Sequence, residues 1–237
     1  MLGLLVIIVV SWVLLHFIEK KSIDALGIIP YEKRLIQFLI GLFFIMLVTF
    51  LTIYIESVVL TVDWQLKSPI DYTLIFKSFM YHLRSALTED LIFRGAILYI
   101  LLSKLGAKWA LLISAAAFGV YHVFSYGMTS ERFVPIFYVI LVTGFTGYVW
   151  AYTFNKTKSI MMALGFHLGF NLVMTFFYTS QPYGELLFTE LSRINVSELN
   201  GLFYALFKGL FPSITTLAFV KILLLFDLKL FIIKQQT

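Results

Sequence analysis

Stretches of about twenty consecutive apolar residues recur along this chain, and nothing else restricts its fold as strongly. Leu35 to Ile55 and Val134 to Phe154 are examples. Composition agrees: the 237 residues are 60% hydrophobic and 13% charged, where soluble domains hold about 25% charged residues. The expectation is an all-α fold, a polytopic transmembrane helical bundle forming a single integral membrane domain over 1–237 in the cell membrane. A bundle of this kind leaves no room for a sizeable soluble domain. The lack of cysteine excludes disulfides, thiolate metal sites and a cysteine nucleophile. The net charge of +5 is no nucleic-acid signal, because the Lys and Arg sit at the ends of apolar runs. The first run, Leu2 to Phe17, has neither a basic leader nor a small-residue cleavage site, so it reads as a retained helix.

Seven spans are expected, at about 2–17, 35–55, 72–103, 109–126, 134–154, 160–178 and 210–226. An eighth would have to lie within the long third segment or within 183–208. The third segment is too long for one simple crossing, and Gly106 marks a turn between Lys104 and Lys108. Residues 179–208 read as a polar loop, with a short amphipathic helix at Tyr183 to Ile194. Ten Lys/Arg fall in the loops at 19–34, 104–108 and 155–159 and in the tail with Lys229 and Lys234; the alternate loops hold four, Lys67, Arg132, Arg193 and Lys208. That asymmetry puts the N-terminus outside and the C-terminus in the cytoplasm. Lys77, His82, Arg84 and Lys221 read as interfacial snorkelling residues.

Against this background, polar groups at membrane depth stand out, because a charged side chain there costs about 2.5–3.5 kcal/mol and requires a partner. Thr88-Glu89-Asp90-Leu91-Ile92-Phe93-Arg94 carries three ionisable groups within six residues. Asp90 and Arg94 are four apart and share a helix face, so they can pair. Glu89 points about 100° away and is left for other work. The fourth span brings Phe118 and His122, four apart; the sixth brings His167 and Asn171, also four apart, with Gly165 and Gly169 permitting close helix approach. Taken singly, each His or Asn is an ordinary interhelical hydrogen-bonding group. Together, one Glu, two His and an amide can ligate a metal or run acid–base hydrolysis with an oxyanion donor. At ~1.5 Å per residue from the cytoplasmic ends, Glu89 and His122 lie about 21–23 Å deep, Asn171 about 18 Å and His167 about 12 Å. His167 therefore requires a tilted or late-starting sixth helix.

Glu89-Asp90-x-x-x-Arg94, Phe118-x-x-x-His122 and His167-x-x-x-Asn171 resemble, in order and spacing, the three motifs of the CPBP family of CAAX proteases, bacteriocin-processing and abortive-infection proteins. The resemblance covers about 85–175, within a motif-bearing core of about 72–178. It implies an intramembrane endopeptidase acting on a membrane-associated peptide or membrane-anchored protein. By matched position, Glu89 and His122 would activate water, while His167 and Asn171 would stabilise the oxyanion. Asp90, Arg94 and Phe118 would give structural support. Asp90 stands where the family has a second Glu, and as a partner for Arg94 it keeps the charge. The family has been described both as metal-free glutamate proteases and as metalloproteases, and Glu89, His122 and His167 would suit zinc with water completing the site. The rival expectation is a non-proteolytic bacteriocin-immunity or scaffold protein of the same fold.

Overall fold

In hydrocarbon every backbone N–H and C=O must find an internal partner, so the apolar runs become helices. The computed structural model describes residues 2–226; the tail with Lys229 and Lys234 lies outside the described residues. Its helices are α1 (Leu2–Leu14, continued by a π-helical turn over Leu15–Glu19), α2 (Tyr31–Val59), α3 (Tyr72–Phe93), α4 (Ala96–Ser125), α5 (Phe133–Thr157), α6 (Met161–Phe177) and α7 (Glu198–Leu225). The all-α membrane bundle stands. Five helical runs are long and apolar enough to cross a membrane: Leu2–Glu19, Ile23–Val59, Tyr72–Ser125, Phe133–Thr157 and Glu198–Leu225; α6 is a shorter apolar helix.

The run Tyr72–Ser125 is not one rod. Gly106 leaves helical geometry at φ 75°, ψ 168°. Ser114 Oγ donates to the Phe93 carbonyl at 2.9 Å, although a straight helix would carry those residues about 30 Å apart. The chain therefore doubles back at Gly106, as the glycine between Lys104 and Lys108 leads one to expect. This return puts α4's second half, with Phe118 and His122, beside the end of α3.

Among the described helices α2 and α6 pack most extensively, and glycine sets their spacing. A Cβ on Gly165 would stand 2.2 Å from the Phe38 carbonyl oxygen, and one on Gly169 would stand 2.6 Å from Ile45 Cγ2. From the other side, a Cβ on Gly41 would stand 2.5 Å from the Met162 carbonyl oxygen. The turn before α6 is held deep. Ser159 Oγ donates to the Gly27 carbonyl at 2.6 Å and the Ile160 N–H donates to Leu26 at 3.0 Å, so the loop around 22–29 covers the α6 N-terminus. Ser159 and Ile160 are accordingly buried.

Three expectations are corrected. Residues 183–194 hold no helix: β2 (Phe188–Ser192) pairs antiparallel with β1 (Asp63–Leu66), with Leu66 opposite Phe188 and Trp64 opposite Glu190. Extended geometry wins because it brings both Trp64 and Phe188 onto Phe177 at the end of α6, with ring centroids 5.0 and 4.6 Å away. The last helix starts at Glu198 rather than 210; Ser197 caps it by accepting from the Asn200 N–H. Finally, α2 reaches Val59, so Glu56 is a buried helical residue and not a loop residue.

Candidate active site

Three helices bring the expected residues to one place. Glu89 lies near the end of α3, His122 near the end of α4, and His167 and Asn171 in α6. Glu89 Oε2 stands 3.9 Å from His122 Nε2 and 3.8 Å from His167 Nε2. Both gaps are too wide for a direct hydrogen bond, and Oε2, buried with no hydrogen-bond partner among the described residues, is left to a third group between them. The other carboxylate oxygen, Oε1, accepts from Ser85 Oγ at 3.0 Å, one turn back on α3. The carboxylate is thereby aimed rather than free to rotate.

The His122 tautomer follows from its partner. Nδ1 lies 2.8 Å from the Phe118 carbonyl oxygen, which can only accept. Nδ1 therefore carries the proton and Nε2 faces Glu89 with its lone pair. His167 turns Nδ1 toward Asp90 Oδ2 at 3.4 Å, which leaves Nε2 on the Glu89 side. Asp90 thus has two neighbours. Its Oδ1 accepts from Arg94 Nη1 at 3.1 Å, the expected pair, with both side chains wholly buried. The guanidinium lies over the Phe118 ring, 3.7 Å from its centroid, and 5.0 Å from Trp150. Stacking between rings and a carboxylate is what allows an arginine to be buried there. Phe118 is 2% exposed and also contacts the His122 ring, 4.3 Å between centroids.

A cavity of about 260 Å³ opens from this cluster. His122, His167 and Asn171 form one wall of it; Ile45, Phe170 and Met174 are among its apolar lining, and Lys208 and Gln181 stand among its polar residues. Glu89 faces a separate, smaller pocket on the other side, lined by Tyr81, Arg84, Ser85, Thr88 and Tyr121. Among the described residues, no group of three His, Asp or Glu side chains is arranged to hold a metal ion, so no step below is routed through one.

Two participants were not expected. His82 is buried rather than snorkelling: its Nε2 donates to the Pro182 carbonyl at 3.0 Å, tying α3 to the loop that holds Gln181. Its place one helical turn before Ser85 and two before Glu89 is the only signal that could have found it. Glu56 is 1% exposed and gathers Lys208 at 2.7 Å, Arg193 at 3.2 Å and the Tyr178 hydroxyl. These residues come from α2, α7, the β2 end and the end of α6, far apart in sequence, so no spacing pattern could show them.

An apolar helical bundle with a Glu, two His and an amide gathered between its helices defines a class: a helical membrane protein with a polar cluster in its interior. The family comparison is more particular. Residues 71–173 match the family described as Rce1-like, type II CAAX prenyl endopeptidase Rce1-like. That stretch, somewhat under half the chain, carries all three motifs, and the match supports the resemblance to the CAAX/CPBP intramembrane protease family. No curated protein and no solved structure matches the chain. Family and fold together support a membrane-embedded endopeptidase with a peptide or protein substrate.

Proposed function

We propose that the protein hydrolyses a peptide bond of a membrane-associated peptide or membrane-anchored protein in the cell membrane, with the core at about 72–178 as the catalytic unit. The observation that carries this reading is the position of Glu89 Oε2, flanked by both histidine Nε2 atoms at water-bridging distance. Water held between Glu89 and His122 gives up a proton to the carboxylate as its oxygen attacks the scissile carbonyl. The unprotonated His122 Nε2 orients that water. His167 can serve both sides only with both ring nitrogens protonated: Nδ1–H then turns to Asp90 while Nε2–H donates to the developing oxyanion, and the Asn171 amide donates beside it. Removing one donor of this kind costs other hydrolases about 10²–10³-fold. Glu89 then passes its proton to the leaving amine, which restores the site.

Two features support the division of labour. The larger cavity is mostly apolar, suited to an extended substrate segment, while the polar pocket behind Glu89 gives water its own approach. Glu89→Gln keeps the shape and the Ser85 contact but removes the base. Comparing protein termini in cells with wild type and with Glu89→Gln, at matched membrane abundance, tests the reading. Termini present only with wild type are the expected result and name the substrate. Identical termini in both would sink the proteolytic reading in favour of an immunity or scaffold role.

A further inference from the structure

A second pocket, about 570 Å³ and larger than the one beside His122 and His167, lies away from the Glu89 cluster. It lies at the opposite end of the bundle, on the face where the basic loops gather. Four elements wall it: the loop around 21–29, the first turn of α2, the first half of α4 with Tyr99 and Ser103, and the end of α5 with Phe154 and Lys158. The walls are fixed to each other, since the Gly27 and Leu26 carbonyls receive Ser159 Oγ and the Ile160 N–H.

Three cations, Lys21, Arg34 and Lys158, line this pocket, against one carboxylate, Asp24, whose Oδ2 already accepts from Ser22 Oγ at 3.0 Å. Arg34 is the informative one. It is 2% exposed, and its hydrogen bonds run to neutral oxygens: Ile29 O at 3.2 Å, Gln37 Oε1 at 2.8 Å and Thr157 O at 3.2 Å. Among the described residues no carboxylate forms an ion pair with it, although a buried charge ordinarily demands a counter-charge. Arg94, the other deeply buried arginine, has Asp90. Lys158 is exposed where it lines the pocket; partial desolvation, then the neighbouring Lys156 ammonium, hold its pKa below the usual lysine range, and it donates to the neutral Asn155 amide oxygen at 3.2 Å. Phe154 and Leu102 give the pocket an apolar side, so it offers cations, hydroxyls and hydrocarbon together.

We propose that this pocket binds a phosphate group, carried by an anionic phospholipid or free in solution, with Arg34 as the fixed contact and Lys21 and Lys158 closing over it. Basic pockets between helices at the membrane surface take such groups, and each surface cation contributes enough that losing two weakens binding by roughly tenfold or more. The site is independent of the proteolytic reading and its test needs no substrate.

The test uses full-length protein and the double variant Lys21→Gln, Lys158→Gln, both positions being exposed so that folding is retained. Retention of phosphatidylglycerol through detergent exchange is read by native mass spectrometry, and stabilisation by inorganic phosphate is read by thermal unfolding. A control variant, Lys104→Gln with Lys108→Gln, removes the same charge from the same face outside the pocket. Lipid retained by wild type and control but lost from the double variant supports the site and names a lipid as its source. Phosphate stabilisation with the same pattern supports it and names the free anion. Equal retention and stabilisation in all three proteins, or equal loss in variant and control, overturns it.

Discussion

Asp90 is the residue whose meaning changed most. As a partner for Arg94 it looks like simple charge neutralisation, and that pairing is present. The carboxylate also faces His167 Nδ1, so its role reaches the oxyanion donor through one ring. Asp90→Asn should lower turnover with little change in KM, by less than the roughly 10²–10³-fold expected for removing His167 outright. Substrate binding lost in parallel with turnover would contradict this. Arg94→Lys keeps the charge but loses the planar fork that lies on Phe118, so it should destabilise despite its conservative look. Arg94→Ala would strand Asp90 buried and unpaired, at a cost of about 3–5 kcal/mol, measurable as a lowered unfolding temperature in detergent. The candidate site residues were readable from sequence because each pair is local: four-residue spacing states which groups share a face. Glu56 was not, because its partners Tyr178, Arg193 and Lys208 stand 122 to 152 positions away.

Among the elements, α6 decides whether the site forms. It carries two of the four proposed catalytic residues and touches α2 through glycine. Gly165→Ala would push a methyl into the Phe38 carbonyl, a rigid backbone atom, so the helices must part. Overpacking of this kind typically costs about 1–3 kcal/mol. The same displacement moves His167 from Glu89, so activity should fall further than stability accounts for; unfolding temperature and turnover measured on one preparation would separate the two. Helix positions were legible because long apolar runs leave the backbone few choices. The β ribbon was not, since a strand of four or five residues declares itself only through its partner. The burial of the start of α6 was hidden for a similar reason: the loop that covers it comes from far earlier in the chain.

For the molecule as a whole, the two pockets lie toward opposite faces, and orientation decides which compartment each meets. The distribution of basic residues predicts that the turn at Gly106 faces the cytoplasm. The chain has no native cysteine, so single replacements report without background. Lys104→Cys in intact cells should resist an impermeant maleimide, whereas Ser130→Cys should react; the reverse pattern would invert the assignment. The Glu56 cluster also bears on how the protein is made. Glu56 and Lys208 are 152 positions apart, about 8–30 s of synthesis at roughly 5–20 residues per second. For that interval α2 sits in the bilayer with an acidic group whose cationic partners do not yet exist, and with its glycine-lined face uncovered until α6 arrives. The newborn chain therefore has a period of vulnerability set by gene order, in which quality-control proteases and insertion chaperones meet an incomplete protein that only its last helix can make whole.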